Sequence, residues 1–222
     1  METILIVDCE TTGLDREKDV VIEVGYVLWS VKHATMLDVF SSLCCHYENP
    51  AEAINGIPPA LIQEARVAKD VWHHVVRLAD SADAIVAHRA EFDMGFVPPD
   101  LRTMRPWVCS KFDIEWPKGK LGDHLVHLAL AHGVPVFTAH RALADVDTLV
   151  RTFQAAAKMT DVSAMLARAM RPKVHVQALV SFDDREKAKS SGFAWGPTTK
   201  MWTRRMASED VASLPFKTKE IA

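Results

Sequence analysis

The chain has 222 residues, of which 49% are hydrophobic and 25% charged, and its formal net charge is −3. That length supports one full domain with room for a small second one, and the composition is that of a globular protein rather than a disordered or collagen-like chain. The N-terminus shows no basic region followed by an apolar stretch, and no apolar run approaches the ~18 residues of a membrane span, so neither a signal peptide nor a membrane partner is expected. Four irregularly spaced cysteines (Cys9, Cys44, Cys45, Cys109) fit a reducing, cytoplasmic setting better than a disulfide framework. Charge is unevenly spread: residues 1–171 hold 17 Lys+Arg against 23 Asp+Glu, and residues 172–222 hold 9 against 6. An acidic body suits cation binding, and a basic tail suits an anionic partner.

Residues 3–8 read as a buried strand rich in β-branched side chains, and Val20 to Val31 and Met36 to Cys45 as two more. Pro58-Pro59 opens a helical stretch in which Val71, Trp72, Val75, Val76 and Ala79 repeat at helical spacing. A short buried strand at 84–88 precedes a helix from Glu91 that must stop at Pro98-Pro99. Trp107 to Cys109 reads as a further strand. Helices follow at Leu121 to Ala131, with Leu121, Leu125, Leu128 and Ala129 on one face, at Ala142 to Met159 and at Asp161 to Arg171. Strands first, then alternating elements, predict an α/β domain over 1–171 with a mixed sheet flanked by helices. Residues 172–222 read as a small α+β module: a strand at 174–180, a helix at 185–191, a strand at 201–203 and a final helix at 208–214.

The chemistry concentrates where the first strand ends, at Asp8-Cys9-Glu10-Thr11-Thr12-Gly13. Side chains alternate faces along a strand, so Asp8 and Glu10 project together and Cys9 turns away. Two carboxylates on one face form half of a site for hard divalent cations, which prefer oxygen to sulfur. Asp93, just inside the helix after the second buried strand, and Asp145, interrupting the apolar stripe of Leu143, Val146 and Leu149, supply further acids; a charge in such a stripe is costly unless paired or bound. Five helical steps separate His140 from Asp145 and would point them some 140° apart, so His140 belongs on the loop or first turn before that helix.

These segments resemble the DEDD 3′–5′ exonucleases of the DnaQ or RNase T type, in the subgroup with a catalytic histidine. Val7-Asp8-Cys9-Glu10-Thr11-Thr12-Gly13-Leu14 matches the first motif, His88 to Asp93 the second, and His140 to Asp145 the third. Ile54-Asn55-Gly56-Ile57 resembles a fourth segment, with Asn55 where histidine is usual, and Arg89 stands where asparagine is usual. The resemblance covers about residues 1–160. It implies an RNase H-like five-stranded sheet and two divalent cations, Mg2+ or Mn2+, held by Asp8, Glu10, Asp93 and Asp145, with His140 as general base. It further implies substrate contacts from Thr11, Thr12, Gly13, Leu14, His88, Arg89 and Phe92. The reaction implied is release of 5′-mononucleotides from single-stranded 3′ ends, DNA favoured over RNA. A polymerase or sliding clamp is a weaker partner expectation. The rival reading is a catalytically silent module that binds nucleic acid or a partner in a replication or repair complex.

In the tail, Lys200, Trp202, Arg204 and Arg205 form a candidate strip facing nucleic acid, while Phe182, Phe193, Trp195 and Trp202 are expected chiefly as core of a small module. His73-His74, His124 with His127, and Cys44-Cys45-His46 lack a paired second cluster at structural-zinc spacing and are assigned to surface or packing.

Overall fold

A computed structural model describes residues 1–119, 121–122 and 124–221 and divides the chain into two compact units, Met1–Met170 and Arg171–Ala222. In the first, β1 (Thr3–Thr11), β2 (Val21–Ser30) and β3 (Thr35–Leu43) form an antiparallel meander. Short helices α1 (Glu52–Asn55) and α2 (Pro59–Gln63) precede α3 (Ala68–Ala79), so the stretch opened by Pro58-Pro59 is two helices rather than one. Then come β4 (Ala84–Ala87), α4 (Ala90–Phe96), α5 (Pro99–Met104), β5 (Trp107–Cys109), α6 (Leu125–Ala131), α7 (Ala142–Ala157) and α8 (Val162–Ala169). The sheet runs β3-β2-β1-β4-β5, with β4 and β5 parallel to β1.

Strand alternation in β1 decides which side of the sheet meets which helix. Ile4 and Ile6 join Val146, Leu149, Val150 and Phe153 of α7 in one core, while Leu5, Val7 and Cys9 join Val71, Trp72, Val75 and Ala79 of α3 in the other. Both faces of the central strands are therefore covered, and every residue of β2 is buried. Phe153 is fully buried between Trp29 and Trp116, with ring centroids at 5.6 and 4.9 Å; truncating it to alanine is expected to cost about 3–5 kcal/mol. Gly25 of β2 brings the start of α7 down onto the sheet: a Cβ there would overlap the Leu143 amide nitrogen and the Ala142 carbonyl carbon.

One expectation about helix limits is corrected in this unit, and another is borne out with an addition. Leu121 is exposed and precedes α6, so it is not on that helix's apolar face; the part of the expected helix at Asp123 lies outside the described residues. Pro98-Pro99 ends α4 and also starts α5, because proline at the first helical position gives up no hydrogen bond.

The second unit has its own four-stranded antiparallel sheet, β7-β8-β6-β9, from β6 (Lys173–Ala178), β7 (Ala194–Gly196), β8 (Met201–Ala207) and β9 (Thr218–Glu220). Helix α9 (Arg185–Ser190) and a 3-10 turn (Ser208–Ser213) complete it. Val176, Ala178, Ala188, Phe193 and Met206 form its core. The expectation that Phe182 and Trp195 are core is wrong: they are 77% and 45% exposed, whereas Phe193 is buried and Trp202 packs against the core edge. Among the described residues, no helix is long and apolar enough to cross a membrane.

Candidate active site

β1 ends with its even-numbered side chains on the α7 side of the sheet, so Asp8 and Glu10 continue the row begun by Ile4 and Ile6. Asp145 sits in the first turn of α7 and enters the same space. One carboxylate oxygen from each of Asp8, Glu10 and Asp145 lies within 4.8 Å of the others. Among the described residues this is the only cluster of three or more His, Cys, Asp or Glu donors so spaced. Among the described residues, neither His73-His74, nor His124 with His127, nor Cys44-Cys45-His46 forms such a cluster.

Asp93, on α4, stands outside that group of three, yet its charge is the second contributor, after burial, to the raised Asp8 carboxyl. Asp93 is 1% exposed, and its Oδ1 is buried without a hydrogen-bond partner. A buried acceptor left unpaired costs about 1–3 kcal/mol and marks a group awaiting a ligand. Burial is the largest cause raising each of these four acids. Asp8 is held well above the carboxylate range by burial and by Asp93, Asp145 and Glu10. Glu10 is pushed up to about 7 by burial, Asp145 and Glu23, with Arg141 opposing. Asp93 is pushed up to about 8 by burial, and Asp145 is raised by burial against a hydrogen bond from His140 N–H. An all-oxygen donor set with a surplus of negative charge fits hard divalent cations such as Mg2+ or Mn2+ and does not suit soft ones.

His140 precedes α7 on exposed backbone with φ 60°, and its amide donates to Asp145 Oδ2 at 3.2 Å. This matches its expected place before the helix. A residue not singled out in the sequence holds that segment. Glu23 is 3% exposed and lies opposite Glu10 in the β1–β2 register. Its carboxylate accepts from Arg141 Nε at 3.0 Å, Arg141 Nη2 at 2.8 Å and the Ala142 amide at 3.0 Å. Such two-pronged guanidinium–carboxylate contacts fix geometry as well as charge. The signal for Glu23 was a lone acid in the otherwise apolar run Val21-Ile22-Glu23-Val24.

The loop after β1 is internally tied. Thr11 Oγ1 donates to the Gly13 carbonyl at 2.5 Å, and Thr12 Oγ1 donates to Asp19 Oδ1 at 2.9 Å while accepting from Val20 N–H at 3.0 Å. Both threonines are buried with their hydroxyls engaged, whereas Leu14 stands 83% exposed. Asn55, buried, accepts from Asn49 at 2.8 Å and reaches the Thr11 carbonyl at 3.5 Å, so the asparagine in place of histidine braces this loop. His88 Nδ1 lies 2.9 Å from Ser110 Oγ. Arg89 is exposed in the left-handed region, φ 72°, at the start of α4, and Phe92 packs on Phe96 at 5.0 Å. Cys9 is buried on the opposite side of the sheet, its thiol pushed up by burial.

The tail residues lie in the second unit. Arg204 Nη1 donates to the Ser191 carbonyl at 2.6 Å, so Arg204 is a structural tie there. Trp202 stacks at a tilt on Trp195, 5.5 Å between centroids, and Lys200 and Arg205 are exposed.

The sequence model of the Exonuclease family (RNase T) matches residues 5–153, and a domain family of unknown function matches residues 174–221. The 3′-5′ exonuclease DinG of Staphylococcus aureus (strain USA300) is 28% identical over 167 residues, covering 68% of this chain and 18% of DinG, so the chain spans under a fifth of that relative's length. Among solved structures, exonuclease X in complex with 5′ overhanging duplex DNA superposes with a TM-score of 0.57 at 22% identity, covering 75% of this chain and 99% of that one. The zinc-bound E. coli ExoI–ssDNA complex gives 0.62 at 16% identity, covering 85% and 50%. At these identities the structural likenesses establish the RNase H-like fold alone. The family match spans well over half of the sequence: the chain belongs to the Exonuclease family.

Proposed function

We propose that the chain is a divalent-cation-dependent 3′–5′ exonuclease that removes 5′-mononucleotides from single-stranded 3′ ends, with DNA the favoured substrate. The observation that carries this is the convergence of Asp8, Glu10 and Asp145 within 4.8 Å, beside the buried and unpaired Asp93 oxygen. A binding module has no use for four acids held together against their mutual repulsion. The likeness to the 3′-5′ exonuclease DinG and the DNA in the exonuclease X and ExoI complexes support a nucleic-acid substrate.

Asp8, Glu10, Asp93 and Asp145 would hold two cations, Mg2+ or Mn2+. When bound, such ions offset charge on the attacking and leaving oxygens and make a water easier to deprotonate. The remaining work falls to the chain. His140 takes the water proton on its imidazole, a role suited to the one side chain whose charge ordinarily changes near neutral pH. Asp145 accepts the His140 amide and Glu23 grips Arg141, so the histidine is held from both sides along the backbone. The hydroxyls of Thr11 and Thr12 are spent on the loop, which leaves backbone groups of that loop, with Gly13, to approach the nucleotide. Leu14 supplies an exposed apolar wedge for the terminal base, and Arg89 a guanidinium for a phosphate. His88, which lines a small pocket with Asp8 and Asp145, and Phe92 on α4 are the further substrate contacts.

The test is a panel of 5′- and 3′-labelled DNA and RNA oligonucleotides, single-stranded and duplex, with Mg2+, Mn2+ or chelator. Shortening of 5′-labelled single-stranded DNA one nucleotide at a time, with immediate release of a 3′ label as mononucleotide, is expected only with the cation. Intact substrate under every condition would overturn the proposal.

A further inference from the structure

The C-terminal unit carries an open groove of about 540 Å³, lined among others by Phe182, Arg185, Trp195, Lys200 and Trp202, with no carboxylate on its lining. Two features of this groove are unusual for so small a unit. Its core is already closed by Val176, Ala178, Ala188, Phe193 and Met206, yet Phe182 is left 77% exposed and Trp195 45% exposed. Large rings that packing does not require mark an interaction surface. The rings are also held in place. Trp195 lies directly opposite Trp202 in the β7–β8 register, 5.5 Å between centroids. The Arg185 guanidinium sits 4.0 Å above the Phe182 ring while its Nη1 donates to the Phe182 carbonyl at 2.8 Å.

Held aromatic faces rimmed by cations, without acids, describe a complementary partner with flat π-systems and regularly spaced negative charge. Single-stranded nucleic acid has both: every base offers a face to stack on, and each phosphate a charge. Duplexed bases are already stacked on each other. An apolar peptide leaves Arg185 and Lys200 without counter-charge, and an acidic peptide leaves the rings unused. The excess of Lys and Arg in residues 172–222, 9 against 6 Asp and Glu, has the matching sign.

We propose that the groove formed by Phe182, Trp195 and Trp202 is a second nucleic-acid site, in which the rings stack on bases of a single strand while Arg185 and Lys200 meet its phosphates. This assigns a ligand class to the unit and does not depend on the catalytic reading. It also extends the expected strip of Lys200, Trp202, Arg204 and Arg205 to Phe182, Arg185 and Trp195, while one Arg204 N–H is held by the Ser191 carbonyl.

The experiment uses the full chain in chelator, so that nothing is cleaved, with a fluorescein-labelled oligothymidine of about 15 nucleotides, near the upper site size of small strand-binding folds. Anisotropy should report binding that weakens about tenfold for Trp195→Ala and for Phe182→Ala, the effect of losing one base–aromatic stack. Trp195→Phe, which keeps a ring, should restore most of the affinity, and a duplex of equal length should bind more weakly. Unchanged affinity in the Trp195→Ala/Phe182→Ala double variant, or equal binding of duplex and single strand, overturns the proposal. In Mg2+, both single variants should cleave a dinucleotide at the rate of the parent chain. Loss of cleavage in the parent chain itself would count against the exonuclease reading and leave the binding result standing.

Discussion

In the C-terminal unit, Arg171 meets Glu209 at 2.6 Å and Asp210 at 2.8 and 3.2 Å; in the first unit, Asp8, Glu10 and Asp145 crowd one another with Asp93 close by. Both are clusters of charge, but their electrostatics run in opposite directions. Glu209 and Asp210 raise the Arg171 guanidinium further above its usual value, which secures its charged form. Burial is the largest cause that raises each of the four acids of the first unit toward the neutral form, and like charge adds to it: Asp93, Asp145 and Glu10 act on Asp8, Asp145 on Glu10, and Glu10 on Asp93. The first arrangement is complete as folded. The second carries a repulsion that protons relieve at low pH and that a bound cation would relieve at neutral pH. A repulsive cluster therefore reports a ligand more directly than a well-paired one.

The sharpest way to break this contrast is Asp93→Asn. Removing one of the repelling charges should cut cation-dependent hydrolysis on the order of 10³-fold, yet raise the melting temperature in chelator. A drop in both would make Asp93 an ordinary structural residue. His140→Ala leaves the acids untouched. Turnover should fall about 10²–10⁴-fold, the range for a general base, while cation-induced stabilisation in thermal melts persists. Near-normal single-turnover rates would remove His140 from the chemistry.

Glu23→Gln tests the one acid of the region that is paired. The loss of a charge-assisted contact to Arg141 should cost about 1.5–3 kcal/mol of stability, measured by urea denaturation, and slow turnover more than it weakens cation binding. The smallest effect expected is a pH-dependent shift. Glu10 at about 7 and Asp93 at about 8 lie above the ordinary carboxylate range. Without cations the folded chain then holds more protons than the unfolded one between about pH 4 and pH 8. The stabilisation is complete below that window and is lost as pH rises through it. In chelator the melting temperature should fall by several degrees from pH 6 to pH 8.5, and added Mg2+ should recover more at pH 8.5 than at pH 6. A flat chelator profile would show that the acids do not repel as placed.

What was legible in the sequence followed from local periodicity. Alternation in β1 separated Asp8 and Glu10 from Cys9, and the 3.6-residue repeat of α7 exposed Asp145 as an intruder in an apolar stripe. Glu23 escaped because its role depends on the register that sets it opposite Glu10, and register is a property of two strands. Strands β7 and β9, three residues each, are too short to show alternation. The need of a small unit for apolar volume points to Phe182 and Trp195 as core; which rings fill that volume is decided by packing, and Phe193 takes the place. Proline at 98–99 marks the stop of α4, and the same ring geometry also begins α5.

Gly25 sets the working clearance of the active site. It pairs with Asp8 across β1 and β2, and the start of α7 rests where its side chain would stand. The helix that delivers Asp145 and follows His140 is thus seated against bare backbone, with no side chain as a shim between helix and sheet. One added methyl group would lift that end of the helix and open the gap between Asp145 and the β1 acids, without altering any atom that touches a cation or a nucleotide. The separation of the carboxylates is in this sense gauged by a residue that contributes no chemistry, and a substitution at Gly25 would act as a change of calibration.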